Sequence, residues 1–482
     1  MLFNSLDFTV FLPIVFVLYW FVFNKNLKQQ NSLIVVASYF FYAWWDWRFL
    51  SLIFLSTLVD YIVGININKN ENLHIRKQFL WLSIVVNLGM LGVFKYFNFF
   101  IENFSLAFSF LGLDLGSYTL NIILPVGISF YTFQTLSYTL DIYKRKLEPT
   151  KEFIVFAAFV SFFPQLVAGP IERAKHLLPQ FLAKRKFEYH KATDGLRQIL
   201  WGLFKKMVIA DNCAVFADEF FKNHAEYSGS TLLIGAFFFT IQIYADFSGY
   251  SDIAIGTSRL FGFDLMKNFA FPYFSRNIRE FWRRWHISLT SWFKDYFYIP
   301  IGGSKGSKWM QLRNTFLIFL VIGFWHGAHW KFIVYGFINA LHFIPGILRG
   351  KSDKYEHFVA HNKWLPSVKE LFNMLKTFAF LVLVRVFFRA DNLTDALSYL
   401  STIFSKSIFD IPVFPNRFLA FIVFVLISIF MTVEWFGRNN EYAIEKILFK
   451  LNRPGRFMCY YMILFCMFYF YAKQQQFIYF QF

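Results

Sequence analysis

The stretch Phe324-Trp325-His326-Gly327-Ala328-His329-Trp330 carries the sharpest chemical signal in the sequence. His326 follows ten residues of almost pure hydrocarbon, Thr315–Phe324. An ionisable side chain inside such a run is costly in a bilayer, which makes it a functional-site candidate. A neutral imidazole is the side chain best suited to accept a proton near neutral pH. Gly327 and Ala328 leave room beside the ring for a substrate or a close helix. His329, three residues on, would share the face of His326 on a helix. The competing reading is a pair of hydrogen-bonded packing histidines at a helix crossing.

A second histidine, His286, lies in FPYFSRNIREFWRRWHISLTSWFKDYFYIPIGG, residues 271–303. There Arg276, Arg279, Arg283, Arg284 and Lys294 are interleaved with aromatic residues. At helical spacing Ile278, Trp282, Trp285 and Leu289 line one face, and Arg276, Arg279 and Arg283 much of another. That is the pattern of a helix lying along a membrane interface, with basic groups toward phosphate. It serves either as an anchor on anionic lipid or as a dock for a charged donor. Upstream, QIYADFSGYSD (242–252) brings Tyr244, Asp246 and Asp252 to the end of an apolar run. A carboxylate there needs a partner or a water-filled cavity. The arginines of 276–284 are the expected partners, with direct substrate contact as the alternative. FPQLVAGPIER, around Pro164 and Pro170, breaks a further apolar segment, as substrate sites in membrane proteins often do.

Several chemistries lack their residues. No G-x-S-x-G accompanies the histidines, and Cys213, Cys459 and Cys466 are remote from them and unpaired in motif. A zinc site from His286, His326 and His329 lacks the H-E-x-x-H spacing and an evident carboxylate, so no metal is expected. No P-loop or kinase signature is present. What remains is a histidine that removes a proton from a hydroxyl, so that the oxygen attacks an activated acyl carbonyl. A transporter or flippase escorting a glycan or acyl intermediate would use the same buried charges.

The elements that must position these groups are membrane helices. Hydrophobic residues make up 57% of the 482 residues and charged residues 16%, against about 25% charged in soluble domains. Apolar runs near 8–23, 32–45, 49–64, 79–97, 118–140, 153–168, 195–210, 229–250, 314–335, 373–388, 418–436 and 456–472 predict an all-α polytopic protein. Its crossings should number about ten to twelve, some of them short enough to be tilted, broken or re-entrant. No soluble catalytic domain is visible, so any chemistry belongs in or at the membrane. The chain is expected to form one integral-membrane domain over 1–482, with amino-terminal helices 1–150, a motif-bearing core 151–345 and carboxy-terminal helices 346–482. The net charge of +18 sits in short breaks between apolar runs, which favours anionic lipid headgroups over nucleic acid as partner. Basic residues at 25–28, 69–77 and 144–151 place those loops in the cytoplasm and the amino terminus outside. Lys175, Lys184, Arg185 and Lys186 break the alternation, unless 153–168 enters and returns on one side. Residues 1–7 lack a basic n-region, so no removable signal peptide is expected.

The ordered motifs QIYADFSGYSDIAIG (242–256), the 271–303 segment and GFWHGAHWKFIVYG (323–336) resemble the membrane-bound O-acyltransferase family, over roughly residues 1–480. The resemblance is to its bacterial branch of alginate O-acetylation proteins, and more distantly to the membrane acyltransferases of D-alanyl-teichoic acid synthesis. It implies a ring of helices around a thinned centre, with a channel where a cytoplasmic acyl donor meets a hydroxyl acceptor from outside. It places the catalytic base on His326 and the second family hallmark on His286. The residues themselves add Trp325, Tyr244, Asp246, Arg283, Arg284 and His329 as supporting or substrate-binding candidates. The resemblance further implies acetyl-CoA or an acyl carrier protein thioester as donor, no tightly bound cofactor, a separate periplasmic or surface acetyltransferase as partner, and residence in the bacterial inner membrane.

Overall fold

The computed structural model describes residues 1–112, 119–120, 123–167, 169–350, 355, 357–472, 475, 477 and 478. Its described residues form helices and connecting turns, with no strand among them. The all-helical class therefore holds. The chain gathers into two compact units, the first comprising Met1–Gly195 with Thr257–Met266 and the second Leu196–Gly256 with Lys267–Phe482.

In the first unit, α1 (Leu6–Val17) starts at Ser5, whose hydroxyl caps the Phe8 N–H. Asn26 caps α2 (Leu27–Asp46) and Asn72 caps α4 (Leu73–Leu91) in the same way. Between them, α3 (Leu50–Lys69) follows a turn in which the Asp46 carboxylate takes the Arg48 guanidinium at 2.6 Å. The spans expected at 32–45 and 49–64 are thus α2 and α3, which meet at that turn. α5 (Phe97–Phe110) follows α4, and α6 (Ile128–Tyr143) is buried along almost its whole length. Part of the run expected at 118–140 falls outside the described residues. The polar content of α6 has a use: Asp60 of α3 accepts from Ser83 and Asn87 of α4 at 2.5 and 2.7 Å, while Thr139 and Thr135 bond Ser83 and Asn87. A buried carboxylate needs such donors. The apolar segment 153–168 is split at Phe162 into α7 (Phe153–Ser161) and α8 (Phe163–Leu166), with Pro164 in the first turn of α8. Its short length matches the interrupted run in the sequence. α9 (Ala174–Leu182) follows.

α10 (Tyr189–Phe204) leads through a π-helical turn at Lys205–Ala210 to α11 (Asp211–Lys222). The run expected to cross at 195–210 is therefore part of a longer helical stretch carrying two buried lysines. α12 (Gly229–Leu260) is the longest α-helix among the described residues. The segment expected to be one interfacial helix is two short ones, α13 (Ile278–Arg284) and α14 (Ile287–Phe293). They are separated by His286, whose φ of 45° and ψ of 54° are left-handed, a conformation that ends a helix of L-residues. α15 (Lys308–His326) and α16 (Trp330–Leu341) pack tightly; a Cβ on Gly336 would lie 2.3 Å from the Phe319 carbonyl oxygen, and one on Gly323 2.3 Å from that of Phe332. Small residues permit such backbone contact between membrane helices. α17 (Ile344–Arg349), α18 (Val368–Val384), α19 (Val386–Arg389), α20 (Leu393–Ile403), α21 (Arg417–Gly437) and α22 (Arg453–Tyr469) complete the order.

Six helical stretches among the described residues are long and apolar enough to cross a membrane: Leu27–Lys69, Leu73–Phe110, Gly229–Leu260, Trp330–Arg349, Val368–Arg389 and Arg417–Gly437. The first of these holds α2 and α3, each 20 residues and so about 30 Å long at 1.5 Å per residue. Leu6–Val22 and Phe153–Leu166 are shorter apolar helices.

Candidate active site

His326 is the last residue of α15 and is 4% exposed. Its ring is flanked by Trp325 at 5.0 Å, Phe388 of α19 at 5.1 Å and Tyr335 of α16 at 6.3 Å between centroids. Gly327 follows with extended backbone, and a Cβ there would fall 2.2 Å from the Phe332 ring. The room that the glycine leaves is thus filled by Phe332. The helix ends at His326, so His329 does not share its face. His329 instead caps α16, accepting from the Lys331 N–H at 3.4 Å.

His286 approaches the same indole, 6.1 Å from Trp325. It is 1% exposed, edge-on to Phe247 at 4.6 Å and parallel to Phe269 at 6.5 Å. Trp325 therefore has both histidines as ring neighbours. The left-handed turn is held by Asn268, whose carbonyl accepts the Ile287 N–H at 2.9 Å and whose side chain bonds Ser288 and Ser251 at 2.9 and 3.0 Å. Outside the membrane-spanning helices, in this turn, burial and secondarily the positive charge that His326 can carry hold the His286 imidazole well below the usual histidine range. It is neutral at physiological pH.

The carboxylates of the QIYADFSGYSD motif find lysines, not the expected arginines. Lys206 bridges Asp246 at 2.7 Å and Asp211 at 2.8 Å, and Lys205 pairs with Asp252 at 2.5 Å. The other oxygen of Asp246 accepts the Ile478 N–H at 2.8 Å, and Lys206 also donates to the Gln475 carbonyl at 3.1 Å. The arginine row divides. Arg276 and Arg284 both grip Glu280, at 3.0 and 2.7 Å, and Arg276 reaches Glu370 as well. Arg279 and Arg283 instead line a cavity of about 650 Å³ with Lys294. Trp282, Phe319 and Ile322 add apolar wall to the same cavity. Ile287, next to His286, and Ile322, one turn before His326, both face this cavity.

Tyr244 donates to Glu434 at 2.5 Å, an acid that also accepts from Trp201. Neither Glu434 nor Arg385 was singled out by the sequence. Arg385, 2% exposed where α18 meets α19, donates to the Thr240 carbonyl at 3.3 Å and to the Tyr273 hydroxyl, with its guanidinium 4.5 Å from the Trp285 ring. A lone basic residue in an apolar run was the available signal. Asn268 gave none, because it lies in a loop outside the three motifs and its partners are brought to it by the fold. Among the described residues, no three histidine, cysteine or acidic side chains converge as a metal site would require.

Residues 147–349 match the membrane-bound O-acyltransferase family. The chain is 36% identical over 446 residues to a probable alginate O-acetylase AlgI of Pseudomonas syringae pathovar tomato, covering 90% of this chain and 81% of that one. It is 38% identical over 429 residues to a peptidoglycan O-acetyltransferase of Helicobacter pylori, covering 83% and 79%. A teichoic acid D-alanyltransferase of Bacillus subtilis is 30% identical over 258 residues, covering 51% and 63%. With the two histidines meeting at one tryptophan in a helical membrane scaffold, the chain belongs to the membrane-bound O-acyltransferase family.

Proposed function

We propose that this enzyme moves an acetyl group from a thioester donor, reached from the cytoplasm, to a hydroxyl acceptor reached from the outer side. The reaction is the membrane step in O-acetylation of an exopolysaccharide or cell-wall glycan, of which alginate is one. The relatives named for alginate and peptidoglycan acetylation support that substrate class. The observation that carries the reading is a buried His326 at a helix end that shares Trp325 as ring neighbour with His286.

In this scheme the His326 ring takes the proton of the acceptor hydroxyl as its oxygen bonds to the acyl carbon. The carbonyl electrons return as the carbon–sulfur bond breaks, and the imidazolium gives its proton to the departing thiolate. The carbonyl end of α15 favours the positive charge that the ring carries in between. His286, neutral and fixed by its turn, positions the acyl carbonyl or the His326 ring. Arg279, Arg283 and Lys294 receive the phosphates of acetyl-CoA or of a carrier-protein prosthetic arm, and the apolar wall receives its chain. A periplasmic or surface acetyltransferase is the partner that passes the group on. The protein resides in a bacterial inner membrane with its amino terminus outside.

The test uses purified protein in liposomes with a radiolabelled acetyl thioester. His326→Ala and His326→Gln should insert normally and lower transfer by roughly 10²–10⁴-fold, the scale of a positioned acid–base group. Near-normal turnover by either folded variant would sink the assignment.

A further inference from the structure

Two distant parts of the first unit bring their lysines to one place. Lys25, after α1, and Lys184 and Lys186, after α9, line a cavity of about 480 Å³. All three are exposed, and none forms an ion pair among the described residues. Behind them Arg185 lines the same cavity and is 9% exposed. It donates to Asn31 at 2.7 Å, Gln30 at 3.1 Å and the Gln180 carbonyl at 3.1 Å, and stands 4.8 Å from the Phe263 ring. Each of these acceptors is neutral, so the charge of a held arginine is not cancelled there, and Nε has no acceptor. A buried cation without a counter-ion favours an anion beside it.

The rest of the lining is aromatic. Phe187 is edge-on to Trp20 at 5.5 Å and to Phe16 at 6.0 Å. The Trp20 indole is fixed by its bond to the Leu260 carbonyl at 2.9 Å. Phe21 completes this side at 74% exposure, continuous with exposed Ile14 and Val17 of α1. Cations therefore border a surface suited to hydrocarbon, with the amphipathic Trp20 indole in the same lining, as at a membrane boundary. A soluble phosphate would use only the first half of this arrangement.

We propose that this cavity binds one anionic phospholipid. Its phosphate lies among Lys25, Lys184 and Lys186 with Arg185 behind, and one acyl chain runs along Phe16 and Phe21 toward α1. None of these residues belongs to the histidine site, so the proposal stands or falls independently of the acyl-transfer reading. It also accounts for the basic run at 184–186: sharing a cavity with Lys25, it lies on the same side of the first unit.

The experiment uses the full chain, stripped of lipid in detergent and placed in phosphatidylcholine nanodiscs, with phosphatidylglycerol added and bound lipid counted by native mass spectrometry. One phosphatidylglycerol should bind saturably. Lys25→Gln, Lys184→Gln and Lys186→Gln should each weaken binding roughly 5-fold, the scale of one basic side chain near an anionic surface. Phe21→Ala should weaken it too, and Lys69→Gln and Lys77→Gln, also exposed, should not. The site is refuted by equal retention of phosphatidylcholine, or by equal weakening with the two control lysines, which would signal diffuse surface charge. Displacement of the lipid by soluble phosphopantetheine would reassign the cavity to a donor, and displacement by inorganic phosphate alone would leave the hydrocarbon wall without a role; either overturns the proposal.

Discussion

His286 owes its place to its backbone as much as to its ring. A non-glycine residue with positive φ is uncommon and tends to occur where function requires the conformation, and here it turns α13 into α14 so that the imidazole meets Trp325. The same turn separates the arginines by task. Arg276 and Arg284 are spent on Glu280, in a buried cluster where losing one partner is costly. Arg279 and Arg283 face the cavity. Lysine substitutions distinguish the two pairs, because lysine keeps the charge and loses the forked donor. Arg279→Lys and Arg283→Lys should raise the donor KM by about tenfold, the worth of one charge-assisted hydrogen bond. Arg276→Lys and Arg284→Lys should lower the melting temperature and leave donor KM close to wild type. A steady-state KM series with parallel thermal unfolding checks this, and unchanged KM at both cavity positions would remove the donor role.

At the scale of elements, the position of His326 is set by how closely α15 and α16 cross. Gly323 and Gly336 face one another there, Cα of each within 3.5 Å of the other's ideal Cβ position. Gly336→Ala must force the helices apart and should cost about 1–3 kcal/mol, as overpacking does. Activity should fall with it. Gly89→Ala, which meets nothing within 4 Å, should be neutral or slightly stabilising in its helix. Thermal unfolding in detergent compares the two, and equal melting temperatures would show that the crossing is soft. The helices themselves were legible in the sequence, since hydrocarbon runs leave few alternatives in a membrane. So was the interruption near Pro164, and the two candidate histidines, His286 and His326, are brought to one tryptophan. What could not be read was where helical pattern and backbone part company. Residues 326–329 continue a helical spacing, yet the chain extends at Gly327; residues 278–293 carry one amphipathic pattern over two helices. The partners of Asp246 and Asp252 were misjudged for a related reason. Lys205 and Lys206 lie inside the run 195–210, which reads as a span, so they were not considered as counter-ions.

At the scale of the whole molecule, the distribution of basic residues predicts an orientation. The side that Lys25 shares with Lys184 and Lys186 is the one the positive bias assigns to the cytoplasm. In a background without Cys213, Cys459 and Cys466, the single variants Lys25→Cys, Arg145→Cys and Lys184→Cys should resist an impermeant thiol reagent in intact cells and react after permeabilisation. Labelling of all three in intact cells would reverse the orientation, and with it the side from which the donor comes. The Asp246 cluster bears on another matter, the timing of synthesis. The backbone N–H that Asp246 binds lies 232 residues further along the chain, beyond α22. A ribosome that has delivered the three signature motifs to the membrane has therefore not yet made the segment that completes the polar cluster beside them. During that interval Asp246 and Lys206 have each other but lack their later backbone partners, and the insertion machinery handles a centre that becomes whole only after every helix described here has been translated.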